Sequence, residues 1–126
     1  MQSITDLDSL TGQEVRQAFA LHDLQFGWLQ QVIFQVEEAY LVVSVEEDSD
    51  EIILSILTEL DVEALAGQFS RTQIANQRKR IGWLWRMTNS RGYDDGFQVE
   101  FDDREGTNVQ LIAEASQIRM TIFQRF

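Results

Sequence analysis

The side chains best suited to recognition crowd into one stretch, Ile81 to Phe97. It holds Trp83, Trp85, Arg86, Asn89, Arg91, Tyr93, Asp94 and Asp95. Trp, Tyr and Arg dominate binding hot spots, and Arg also stacks on aromatic faces. Read as a strand and its turn, the stretch places Trp83 and Trp85 on one face, with Arg86 pointing the other way. Asn89 to Gly96 then forms a long turn, where Gly92 and Gly96 allow positive φ. Two readings follow. Trp83 and Trp85 are core residues above a structural turn, or they are a platform for a ligand or partner that Asn89, Arg91, Tyr93 and Asp95 contact.

Other chemistry is sparse. The chain has no Cys, so it has no disulfide frame, thiolate nucleophile or cysteine metal site. No phosphate-binding glycine loop, dinucleotide fingerprint or nucleophile elbow occurs. His22 stands alone, which removes paired-histidine metal sites. At the end of a predicted helix it is favoured by the helix dipole. Asp94-Asp95 and Asp102-Asp103 could supply paired carboxylates for acid–base work or a hard cation. They flank one predicted strand, which sets them roughly 20 Å apart. The acidic run Glu46 to Glu51 lacks the glycine and spacing of a calcium loop. No catalytic residue, metal ligand or cofactor is assigned.

Charge is uneven along the chain. The formal net charge is -11 over 126 residues. Residues 1–63 carry fourteen acids and one base, whereas residues 64–126 carry seven acids and nine bases. No acid lies between Ala64 and Tyr93, and the bases there include Arg71, Arg78, Lys79, Arg80, Arg86 and Arg91. Such a run can contact phosphates, but a chain this acidic is repelled by nucleic acid overall. The expectation is that the basic segment lies against the acidic run 46–51, in the fold or in a dimer. The acidic half also suits a basic protein partner.

Positioning these residues falls mostly to strands. Thr11-Gly12-Gln13-Glu14 has capping-box form before Val15, Ala18 and Phe19, which predicts a helix over Thr11 to His22. Asp61 is a candidate N-cap for a second helix through Val62, Leu65, Ala66 and Phe69. Ser70 to Arg80 reads as either connector or helix. Elsewhere the apolar residues alternate with a period of two, as half-buried strands do. The faces are Trp28, Val32, Phe34 and Val36; Leu41, Val43 and Val45; Ile52, Leu54 and Ile56; Trp83, Trp85 and Met87; Phe97, Val99 and Phe101; Val109, Leu111 and Ala113; and Ile118, Met120 and Ile122. Short links between them imply antiparallel pairing. The prediction is a single α+β domain with about seven strands and one or two helices. Gly27-Trp28-Leu29 recurs as Gly82-Trp83-Leu84, 55 residues on, which suggests two three-stranded meanders in halves 11–60 and 61–126.

The W-x-W strand, the T-N-x-x-G-Y-x-D-G turn and the alternating F-x-V-x-F resemble small uncharacterised bacterial proteins of unknown function. The residues concerned are Trp83, Trp85, Thr88, Asn89, Gly92, Tyr93, Asp95 and Gly96, then Phe97, Val99 and Phe101. The resemblance implies a bacterial origin and supplies no activity or site residue. The functional expectation is a cytoplasmic, non-catalytic protein-interaction module. It would have a protein partner or form a homodimer, and would bind neither nucleic acid nor membrane. The last strand, with Ile122, Phe123 and Phe126, bears apolar residues on both faces and needs covering. The alternatives are an immunity- or antitoxin-type inhibitor of a basic protein and a carboxylate-based enzyme.

Overall fold

A computed structural model describes residues 4–75 and 78–126. Among these, ten strands form two antiparallel sheets with almost no helix. The chain opens with a 3-10 helix, Ile4–Leu10, and then forms β1 (Glu14–Val15), β2 (Gln17–Asp23), β3 (Leu29–Gln35), β4 (Tyr40–Glu46) and β5 (Glu51–Leu57). A single turn of α-helix, α1 (Val62–Leu65), leads to β6 (Phe69–Ala75), β7 (Lys79–Thr88), β8 (Asp94–Phe101), β9 (Thr107–Glu114) and β10 (Gln117–Gln124). Sheet one runs β5-β4-β3-β2-β6, and sheet two runs β10-β9-β8-β7-β1. The two inner faces enclose one large core that includes Phe34, Leu41, Ile56, Phe97, Val99 and Leu111.

The α+β expectation is corrected here. Thr11 to His22 is not a helix but β1 and β2. The reason lies in Ala18-Phe19-Ala20-Leu21, all buried. Ala18 and Ala20 face the main core, while Phe19 and Leu21 enter a second core on the outside of sheet one. A strand buried on both faces loses its alternation, and its apolar run then mimics a helical stripe. With no helix there, His22 has no helix dipole beside it. Ser70 to Arg80, read as connector or helix, supplies most of β6 and the start of β7, and residues 76 and 77 lie outside the described residues. The helix beginning at Asp61 exists but lasts one turn, with the Ala64 N–H donating to the Asp61 carboxylate at 3.2 Å.

Shifting each strand number by five converts one sheet order into the other. The first strand of each half is exchanged: β1 joins sheet two and β6 joins sheet one. Corresponding strands start at Leu29 and Asp94, Tyr40 and Thr107, and Glu51 and Gln117, shifts of 65 to 67 residues. The recurring tripeptide does not follow this shift. Gly27-Trp28-Leu29 enters β3, whereas Gly82-Trp83-Leu84 lies within β7.

Two corresponding turns meet. The β9–β10 loop is two residues, Ala115 and Ser116, with φ of 53° and 64°. Positive φ at both positions is the type I′ pattern, which favours Asn and Gly over Ala. Tertiary bonds hold it instead. The Ser116 N–H donates to the Asp50 carboxylate at 2.6 Å, and its hydroxyl to the Glu47 carbonyl at 3.1 Å. Relieving the strain with Ala115→Asn is expected to raise the unfolding free energy by about 0.5 kcal/mol. Urea unfolding of the variant beside the parent measures this, and a loss of stability would mean that Ala115 is not strained.

Candidate functional site

The outer faces of the two sheets differ in what covers them. On sheet one, Phe19, Leu21, Ile33 and Val42 are roofed by Leu57, Leu60, Val62, Leu65 and Phe69. On sheet two, the face carries Trp83 and Trp85 at 62% and 37% exposure, with no segment packed over them among the described residues. The two indoles lie 6.4 Å apart at 25°. Neither indole is a core residue. The switch of face is local. The β7–β8 register shifts between Ile81 and Trp83, at Gly82, so Ile81 and Leu84 enter the core and Trp83 and Trp85 turn outward. A bulge of this kind re-aims the side chains that follow it, here as far as a second shift between Met87 and Thr88.

Two cross-strand rows fill this face. One runs Trp85, Gln98, Gln110, Thr121, and the other Trp83, Glu100, Asn108, Phe123. Their polar members are linked. Gln110 donates to Gln98 at 3.0 Å, and Gln98 to Asn108 at 2.8 Å. Asn108 donates to Glu100 at 3.2 Å and to the Gly106 carbonyl at 2.9 Å. Arg125 closes the chain on both Glu100 oxygens, at 3.1 and 3.2 Å. Asn108 and Glu100 are buried polar groups, and their bonding meets the cost of that burial. Sequence reading found none of Gln98, Glu100, Asn108, Gln110 and Arg125 as site residues. Their alternation with Phe97, Val99, Leu111 and their neighbours marked them as facing away from the core. Only the register brings them side by side.

Beside Trp83 the surface dips into an open cleft of about 270 Å³, lined by Glu100, Asp102, Asp103 and Phe126 among others. Gly96 on the same face admits no side chain, because a Cβ there would stand 2.9 Å from the Met87 Cβ. The chain can therefore lie flat beneath Met87 and Ile112.

The other candidate residues sit in the β7–β8 hairpin. Asn89 organises it: its carboxamide oxygen accepts from the Arg91 and Tyr93 N–H groups at 2.9 and 3.2 Å. Its amide nitrogen donates to Asp95 at 3.2 Å. Asn89 and Asp95 are thus engaged within the turn. Arg91 is exposed, and Tyr93 is half exposed. The hairpin shares β7 with the Trp pair.

Glu100, Asp102 and Asp103 line the cleft beside Trp83, whereas Asp94 and Glu114 lie apart from it, and several of these acids hold a base. Asp94 takes Arg86 at 3.2 Å and the Thr88 hydroxyl at 2.8 Å, Glu114 takes Arg119 at 2.9 Å, and Asp103 takes Lys79 at 2.7 Å. Among the described residues, no group of three His, Cys, Asp or Glu is placed to hold a metal ion. Within the chain the basic segment is neutralised in part, and among the described residues none of its ion pairs is with the run 46–51. Its ion-pair partners are Glu14 for Arg78, Asp103 for Lys79 and Asp94 for Arg86. Arg80 donates to the Gly12 carbonyl, and Arg71 lies 5.4 Å from the Phe19 ring centre. The acidic run instead caps turns, through Asp50 on Ser116 and Glu51 on the Asp94 N–H.

Burial acts to raise the Asp103 carboxyl, but Lys79 and the Thr107 N–H and hydroxyl outweigh it and hold the group at about 2. A lowered carboxylate pKa stabilises the fold above the unfolded value, 3.8, and that contribution is lost as pH falls from there towards about 2. Asp103→Asn is therefore expected to cost about 1–2 kcal/mol at pH 7, and the gap to the parent should narrow below pH 3.8. Urea unfolding across pH 2 to 7 checks this, and a gap independent of pH would place the effect elsewhere.

No curated protein and no solved structure matches the chain. A family model does, over residues 1–126. The chain, with its exposed Trp83–Trp85 pair above a closed amide network, belongs to a family of unknown function, DUF6334.

Proposed function

We propose that this protein is a non-catalytic interaction module that binds a protein partner through the outer face of sheet two. One observation carries the reading. The same face of sheet one is apolar and roofed by its own chain, whereas that of sheet two presents two stacked indoles around polar side chains. A large exposed aromatic pair costs solubility unless something covers it. Rigid rings beside satisfied amides form a preorganised surface, which lowers the entropy lost on association. The matching strand orders support reading the domain as two copies of one pattern, 11–60 and 61–126. A cytoplasmic, bacterial setting fits a chain without cysteine that resembles bacterial proteins.

The test is site-specific photo-crosslinking in cells. A photoreactive residue at Thr121, at the β10 end of the Trp85 row, should trap a partner, and the same residue at Glu59 or Glu63 on the other side should not. Trapping equally from both sides, or only from the sheet-one side, would overturn the reading. The second pattern is the one expected of an inhibitor that uses its acidic half.

Self-association is a second reading, favoured by one strand. β10 is an edge strand, and Ile122 and Phe123 on it are 49% and 39% exposed, with Phe126 beyond it at 83%. Exposed apolar edges invite pairing with another copy. Sedimentation equilibrium decides it, since a monomer throughout the micromolar range removes the homodimer.

A further inference from the structure

The two sheets differ at one edge as well as on their outer faces. In sheet one, β6 pairs with β2 along its length, from Asp23↔Phe69 to Ala18↔Ala75. The corresponding lane of sheet two is only partly filled. β1 pairs with Arg80 and Lys79, and two further bonds tie Ile81 to Gly12 and Gln13. At Gly12, with φ of +86°, the chain leaves the edge and turns back into the 3-10 helix that seats Leu10 in the core. Among the described residues, no strand pairs with Trp83–Thr88 on that side. An edge left open in this way offers a row of backbone donors and acceptors to any extended chain.

The filled lane shows what the open one would accept. Phe19, Ile33 and Val42 form one row on the outside of sheet one, and Trp85, Gln98 and Gln110 form the corresponding row on sheet two. Phe19 and Trp85 therefore occupy equivalent positions. Arg71 of the lane-filling strand lies over the Phe19 ring at 5.4 Å. Trp85, a better cation–π acceptor, has no such cover. The formal charge of -11 disfavours a second copy of the chain as the occupant.

We infer that the Trp83–Thr88 edge of β7 accepts an extended strand of a basic partner protein, continuing the lane of β1 and laying an arginine over Trp85. This rests on the interaction-module reading and specifies its mode. Backbone pairing would supply register, and the arginine and the two indoles would supply selectivity.

The probe is a synthetic peptide copying residues 69–75, the strand that fills the equivalent lane. It is titrated against the intact, isotope-labelled protein and followed by amide NMR and hydrogen exchange. The expected result is slowed exchange at alternate amides of 83–88 and a shift of the Trp85 indole N–H, with the β2 amides unchanged. Arg71→Glu in the peptide should weaken binding by about tenfold, and Thr72→Pro should abolish it. Shifts confined to the indoles and to Gln98 and Gln110, with edge exchange unaltered, would overturn the strand-addition mode while leaving the face as a binding surface. The same edge becoming protected as the protein alone is concentrated would replace the proposed partner with a second copy. Silence at both edge and face would remove the inference, while the crosslinking experiment separately decides whether the face binds a partner.

Discussion

Replacing Trp83 and Trp85 together with alanine is expected to lower the unfolding free energy by no more than about 3 kcal/mol, because Trp83 is mostly in solvent and Trp85, though partly covered, belongs to neither core. Two core tryptophans would cost about 3–5 kcal/mol each, and the double variant would then not fold. The same variant should lose at least about a hundredfold in affinity for the partner trapped at Thr121, as removal of paired aromatic hot spots does. Urea unfolding measures the first effect and titration calorimetry the second. A stability loss above about 4 kcal/mol would return the pair to a structural role. Unchanged affinity would remove it from the binding surface.

Asn108→Ala should produce the largest stability loss of any polar substitution on this face, about 3 kcal/mol. Asn108 is 1% exposed, accepts from Gln98, and donates to Glu100 and the Gly106 carbonyl. Alanine would leave a buried carbonyl without that donor, Gln98 without its acceptor, and Glu100 dependent on the exposed Arg125 alone. Asn108→Asp should be as damaging, since a carboxylate cannot donate and would repel Glu100. A cost below about 0.5 kcal/mol for Asn108→Ala would show that water replaces the network without penalty.

The sandwich core was largely legible. Val32, Phe34 and Val36, Leu41 and Val43, Phe97, Val99 and Phe101, and Val109, Leu111 and Ala113 face the core as their alternation predicts, whereas Trp28, predicted on the first of these faces, is exposed. On β8 and β9 the other face is polar, and on β3 and β4 Gln31, Gln35 and Ser44 share it with the buried Ile33 and Val42, so a period of two survives in the sequence. It failed for β2, where both faces are buried, and for β6, where polar residues on an edge strand leave no apolar period to read. It also failed at Trp83 and Trp85. Their spacing is that of a core strand, and the bulge at Gly82 that reverses them depends on the contact with β8.

Residue types and local spacing determined the dominance of antiparallel strands, the alternating core faces and the Asp61 cap. These rest on interactions within a few residues, or on a face pattern that each strand carries by itself. The exchange of β1 and β6 between sheets, the outward turn of the two indoles, the amide chain from Gln110 to Arg125 and the open edge of β7 were decided only by the tertiary structure. Each joins residues far apart in sequence through cross-strand register, and one residue of slip in that register would carry every side chain to the opposite face.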